Sequence, residues 1–229
     1  MRKASLLLLF AALYTGVFAQ DIDFIPEMPD DFAQLDTLPR PKQFNSRHMI
    51  GVEYFYNIAG ISANPDIGEK NVMCPLNFGV FYTYYHPLWD QMNIFGLKIG
   101  AKYTEEGYST ERDDYGEICR MVEFPLVSQF KLDFSRFRFL INIGTYWGYR
   151  LSTDKSGGFD KYDQRHDYGV LAGAGFGILL GNSIEFHVEG NYKFSFASMY
   201  HPNKNGEMYW ITAYPRTVMI SAGLYFNLW

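Results

Sequence analysis

The strongest constraint on this chain is a hydrophobic alternation of period two that recurs in eight separate segments. In the first, Ile50, Val52, Tyr54, Tyr56 and Ile58 share one face, with Gly51, Glu53 and Asn57 on the other. The second carries Leu76, Phe78, Val80, Tyr82 and Tyr84. The third sets Phe95, Leu97, Ile99, Ala101 and Tyr103 against Gly96, Lys98, Gly100 and Lys102. The fourth has Val122, Phe124, Leu126 and Phe130; the fifth opposes Phe137, Phe139, Ile141, Ile143, Trp147 and Tyr149 to Arg138, Asn142 and Arg150. Tyr168, Val170, Ala172, Ala174, Phe176 and Ile178 form the sixth. The seventh sets Ile184, Phe186, Val188, Tyr192, Phe194 and Phe196 against Glu185, His187, Glu189, Asn191, Lys193 and Ser195, and the eighth runs from Val218 to Leu228. Strand side chains alternate between faces, whereas a helix repeats every 3.6 residues, so alternation over about ten residues specifies strands.

Connection lengths add the topology. Long polar links span 60–71, 105–116, 152–166 and 198–215, and short turns lie near 86–91, 132–136 and 180–183. Long loops at one end and tight turns at the other predict an all-β, eight-stranded antiparallel up-and-down transmembrane barrel, long loops outside and short turns in the periplasm.

Alternation alone would also suit a soluble barrel turned inside out. The aromatic residues decide against it. On the apolar face Tyr54, Tyr56, Tyr103, Trp147, Tyr149, Tyr168 and Tyr192 fall near the long-loop end, and Tyr82, Tyr84, Phe95, Phe130, Phe137 and Phe226 near the short-turn end. Two aromatic girdles around an apolar band are expected of a bilayer-spanning barrel. The opposite face carries Glu53, Lys98, Lys102, Glu123, Lys131, Arg138, Arg150, Asp167, Glu185, His187, Glu189 and Lys193. A lysine or arginine facing mid-depth lipid costs about 2 to 4 kcal/mol, so this face is expected inside. Eight strands enclose only enough space for side chains, and the expectation is a packed polar lumen rather than a wide pore.

Residues 1–19 have the order of a secretory signal peptide: Arg2 and Lys3, an apolar run, then Val17-Phe18-Ala19. Residues 20–47 are acidic and broken by Pro26, Pro29, Pro39 and Pro41, which reads as a flexible periplasmic arm. The barrel is then residues 48–229. No later stretch approaches the roughly 20 apolar residues of a spanning helix. A net charge of -5 disfavours a nucleic-acid partner, which needs a basic footprint. By strand parity Cys74 points outward and Cys119 inward, so no disulfide between them is expected. Pro125 removes one ladder donor and should mark a bulge or local break. The same parity turns Trp229 inward and Leu228 outward.

Glu123-Phe124-Pro125-Leu126, the run Asp167 to Gly175 (DYGVLAGAG) and Ser221-Ala222-Gly223-Leu224-Tyr225-Phe226 resemble the PorT-like outer-membrane β-barrel family over roughly residues 47–229. That resemblance implies an outer-membrane location and, through the family's namesake, an accessory role in protein secretion.

Catalytic signals are weak. Lipid-modifying barrels use a histidine with a serine and an acid near the membrane surface. Of His48, His86, His166, His187 and His201, only His187 lies well within a strand, beside Glu185 and Glu189 with Ser195 further along. A buried histidine among carboxylates is usually structural, so no enzyme is expected. Cysteine and histidine spacing fits no zinc site, and the sixth-segment glycines precede no helix, so no cofactor is expected. The expected partners are outer-membrane lipid and, through loop residues such as Met208, Tyr209, Trp210 and Tyr214, a protein or glycan; the oligomeric state stays open.

Overall fold

The computed structural model describes residues 48–86, 94–110, 116–134, 136–180, 183–205 and 212–228. The expected signal peptide, the arm, the turn after His86, loop residues Met208 to Trp210 and Trp229 lie outside them.

The strands are β1 (His48–Asn64), β2 (Glu69–Lys70), β3 (Val72–His86), β4 (Phe95–Thr110), β5 (Gly116–Phe134), β6 (Phe137–Thr153), β7 (His166–Leu179), β8 (Ile184–Ser195) and β9 (Thr212–Asn227). Every pairing is antiparallel. The order β4-β3-β1-β9-β8-β7-β6-β5 closes through β4–β5, giving an eight-stranded barrel with the short β2 hydrogen-bonded beside β4. Closure pairs the backbone groups that an open edge would expose.

Burial follows the sequence alternation. In β8 the pattern runs exposed at Ile184, buried at Glu185, half-buried at Phe186 and buried at His187, and continues alternating to Ser195. The apolar face is outside on every long strand: Val52, Phe78, Ile143, Phe176 and Ile220 are all at least half exposed. The charged face is inside. Inward glycines make room for large lumen side chains: a Cβ on Gly51 would come within 2.4 Å of the Tyr225 ring.

Three local features bear on the sequence expectations. First, the register between β1 and β3 shifts between Phe55–Asn77 and Asn57–Cys74. Pro75 and Leu76 are both exposed, so this bulge reverses the parity beyond it and turns Cys74 inward, contrary to the outward position expected. Cys74 and Cys119 are both buried and both free thiols. Second, Pro125 marks the local break that its missing donor implies, without a bulge. The β4–β5 ladder is interrupted between Ile99–Leu126 and Lys102–Glu123, but the register is the same on both sides. Third, strands continue into segments expected to be loops: β1 reaches Asn64, β4 reaches Thr110, β5 starts at Gly116 and β9 at Thr212.

The third point changes the shape of the molecule. β5 has 19 residues, about 63 Å at about 3.3 Å per residue; tilted by about 40° it rises about 48 Å, roughly twice the apolar band of a membrane barrel. The barrel wall therefore continues well past the aromatic residues at its long-loop end.

Candidate functional site

The candidate site is the lumen, where three levels can be distinguished. Nearest the short turns, Arg138 from β6 donates from Nε to Asp133 at 2.7 Å and from Nη1 to Glu185 at 2.7 Å. Lys131 lies 3.7 Å from Asp133 and over the Tyr85 ring. His187 stands between two carboxylates of its own strand, with Nε2 3.1 Å from Glu185 and Nδ1 3.8 Å from Glu189, and its ring stacks on Tyr225 at 4.3 Å. Lys98 then joins Glu53 at 2.5 Å and Glu189 at 3.1 Å. Gln129 and Asn142 complete this level, Asn142 donating to Glu189 at 2.7 Å and Gln129 to Asn142 at 2.9 Å.

A waist follows. Phe55, Phe81, Pro125, Val127, Leu171 and Met219 surround a cavity of about 30 Å³ whose polar lining comes from Glu53, Lys98, Lys102, Asn142, Glu189 and Asn191. That volume holds about two waters. Lys98 sits over Phe81 and Lys102 over Phe55, at 4.8 and 5.3 Å from the ring centroids. The cations thus approach the apolar waist through aromatic faces.

Beyond the waist, Lys193 is the hub. Its ammonium contacts Glu106 and Glu123 and lies 4.0 Å from Asp167. Lys102 pairs with Glu123 at 2.6 Å, and Arg150 lies 3.5 Å from Asp167, which also accepts from Ser195 and, at 3.2 Å, from Tyr146. Oxygens of Glu106, Glu123 and Asp167 lie within 4.8 Å of one another, a spacing that would suit a divalent cation. The Lys193 ammonium already supplies positive charge there. Lys102, Arg150 and Lys193 match Glu106, Glu123 and Asp167 one for one, so the group needs no further cation to be neutral.

Each of the twelve lumen residues named from the sequence is buried on the inward face. The structure brings His187 together with Glu185 and Glu189, but Ser195 lies eight residues further along β8, about 26 Å away, and pairs with Asp167 instead. These groups form no triad.

Sequence reasoning missed two sets of inward residues. Phe55, Phe81, Tyr85, Tyr146 and Tyr225 are buried aromatics on the face read as charged and glycine-rich. Glu106 and Tyr108 lie in the segment read as a loop, and Glu117 directly follows it. Their signal was present: even-numbered β4 residues from Lys98 to Tyr108 keep to the inward face with few interruptions.

The long-loop extension has a different interior. Ile61, Tyr108, Cys119, Met199, Tyr200 and Ala213 form a buried apolar cluster, with Ala63, Ile67 and Phe159 against it. Tyr200 donates to Glu117, and its hydroxyl lies 2.8 Å from that of Tyr108. Burial among these groups pushes the Tyr200 phenol well above its ordinary range. Backbone bonds from Gln164 to Met199 (2.9 Å), Met199 to Ala213 (2.7 Å) and His201 to Tyr162 (2.8 Å) stitch the β8–β9 link into the wall. In the turn after β1, Asp66 accepts from the Gly68 amide at 2.8 Å, which draws its carboxyl below the usual range.

On the outer surface the aromatic residues named from the sequence occupy both ends. Tyr54, Trp147, Tyr168 and Tyr192 are exposed, and Tyr56, Tyr103 and Tyr149 half-buried, towards the long loops. Phe130, Phe137 and Phe226 are exposed, and Tyr82, Tyr84 and Phe95 half-buried, towards the short turns.

Among solved structures the chain is similar to Neisserial surface protein A, with a TM-score of 0.53 and 12% identity over 79% of this chain and 97% of that one. The chain has the fold of the eight-stranded outer-membrane barrels. The outer membrane protein OprG from Pseudomonas aeruginosa is similar to the same degree, with a TM-score of 0.52 and 15% identity over 80% of this chain and 97% of that one. No protein-family profile matches the chain, and no curated protein matches it in sequence. The likeness is therefore one of architecture, and the barrel's work has to be argued from its own residues.

Proposed function

We propose that this chain is an integral outer-membrane β-barrel with a structural or interaction role, carrying a packed polar lumen in place of a wide pore. The observation that carries this reading is the pairing of an outward apolar band with an inward charged network. Exposed Val52, Phe78, Ile143 and Ile220 would be a large apolar surface on a soluble protein, whereas lipid solvates it. The lumen supports the second half of the reading, because its ion pairs span the interior and its waist cavity is only about 30 Å³. The extension, with a core of its own, would hold a rigid surface outside the membrane for a protein or glycan partner. The reading assigns no catalysis: among the described lumen residues Ser195 pairs with Asp167, and His187 pairs with Glu185 and Glu189 elsewhere along the lumen.

Outer-membrane fractionation and comparison of heated with unheated samples on a gel test the location. A heat-dependent mobility shift in the outer-membrane fraction is expected; a soluble periplasmic product with no such shift overturns the reading. Planar-bilayer recording should find no sustained wide-pore conductance. Deleting the gene separates the roles: altered secreted proteins would favour the secretion role implied by the PorT-like resemblance, and altered lipid acylation would favour an enzyme.

A further inference from the structure

The chain as a whole is acidic, yet exposed charges next to the outer aromatic girdle are basic. On β5, Arg120 is half exposed, its Nε held by Glu105 at 3.1 Å. Immediately before and at the start of β7 stand exposed Arg165 and His166; Arg165 donates to the Tyr149 hydroxyl at 3.4 Å, and the His166 ring lies 5.3 and 5.9 Å from those of Tyr149 and Trp147. On β9, exposed Arg216 is level in register with Phe194 of β8 and Gly60 of β1. These residues lie on one contiguous arc of the barrel from β5 to β9. Exposed carboxylates near this end, Asp66, Asp154 and Asp160, belong to turns beyond the strands. The short-turn end differs: its exposed ionisable side chains among the described residues, His86, Asp133 and Arg136, include a carboxylate within the β5–β6 turn region.

We propose that Arg120, Arg165, His166 and Arg216 form a belt that binds phosphate headgroups of lipids in the outward-facing leaflet. The inference rests on the outer-membrane reading above and adds a chemical class of lipid to it. Tyrosine and tryptophan rings settle at headgroup depth, and guanidinium groups at the edge of that girdle present planar donor forks where phosphate oxygens lie. Partial engagement of Arg120 and Arg165 with Glu105 and Tyr149 limits their freedom, which lowers the entropy lost on binding.

The test is reconstitution of the full chain into phosphatidylcholine vesicles and into phosphatidylcholine vesicles containing diphosphorylated lipid A. The readout is the midpoint of the heat-induced gel shift. Lipid A should raise the wild-type midpoint by about 6 to 12 °C, taking three juxtamembrane arginines at typical worth in a domain of this size. R120Q/R165Q/R216Q should match wild type in phosphatidylcholine and lose most of the rise, R120K/R165K/R216K should keep most of it, and R136Q at the other end should keep it all. Inorganic phosphate added to phosphatidylcholine vesicles should give no rise.

A rise retained by the glutamine triple variant, no rise in wild type, or an equal rise with inorganic phosphate would each overturn the belt. Failure of wild type to insert in either vesicle would instead overturn the outer-membrane reading itself.

Discussion

The two ends of this barrel are built inside out with respect to each other. At membrane depth the interior holds Lys98, Glu53, Glu189, Lys193 and Glu123, while Val52, Phe78 and Ile220 face outward. In the outer extension the interior is apolar, with Ile61, Met199 and Ala213, while Asp154, Asp160 and Lys161 are exposed. The same strands pass through both regions, so the backbone does not set the difference. The surroundings do: acyl chains solvate the outward apolar residues in one region and water solvates the outward polar residues in the other. Buried charge is stable in the first region because each ion has a counter-ion within the wall. The second region is held by ordinary apolar burial with one polar knot at Tyr108, Tyr200 and Glu117.

Removing one lumen charge is the strongest way to break this contrast. Lys193→Met takes the hub from Glu106, Glu123 and Asp167, leaving buried carboxylates with fewer counter-ions. Such a loss costs about 3 to 5 kcal/mol. The barrel should then lose its heat-resistant gel form at markedly lower temperature or denaturant. Unchanged heat resistance would mean that the network contributes little to the fold.

The reverse substitution belongs to the extension. Ile61→Asp places an unpaired charge in its apolar cluster, at a cost of about 3 kcal/mol. Local opening relieves that cost, because this end lies outside the wall that spans the membrane. Limited proteolysis should cut the extension of the variant while the remaining barrel keeps its gel shift. Loss of the gel shift together with the cleavage would show that the two regions fold as one unit.

These two predictions track how much of the molecule its sequence discloses. Parity specified the eight strands and the twelve inward charges because one-residue slips would send Lys98 or Arg138 into lipid. It misplaced Cys74 because a bulge at Pro75 and Leu76 has no hydrophobicity signal of its own. The extension was read as loops because its strands are polar outside and its inward partners, such as Ile61 and Met199, meet only in three dimensions. Pairings within the lumen were equally hidden. Alternation places Lys193 and Glu106 on one inward surface, but the register and strand tilt that bring them together across the barrel are properties of the closed sheet.

A subtler probe acts on space rather than charge. A Cβ on Gly177 would lie 2.9 Å from Cδ2 and 3.1 Å from Nε2 of His187, and 3.3 Å from Cβ of Arg138. Gly177→Ala must therefore push the imidazole away from Glu185, at a cost of about 1 to 3 kcal/mol. The gel-shift midpoint should fall by less than in Lys193→Met. Combining Gly177→Ala with His187→Ala should recover part of the loss, since the smaller side chain vacates the space. No recovery in the double variant would place the strain in the backbone between β7 and β8.

The smallest expected effect is a pH dependence confined to the extension. Burial holds the Tyr200 phenol above its ordinary range, and its proton is committed to Glu117. An unfolded tyrosine ionises near pH 10. Below that pH both forms keep the proton, and the stability it supports is fully present. As pH rises through about 10, the unfolded extension loses its proton while the folded one retains it, so folding of this end weakens. Protease sensitivity of the extension should climb between about pH 9 and 11, with the gel shift of the barrel unchanged. Tyr200→Phe removes this titrating group and leaves Glu117 without that donor. The variant should start less stable by about 1 to 3 kcal/mol and show a shallower slope across the same window. An identical slope in the variant would show that Tyr200 does not carry this pH dependence.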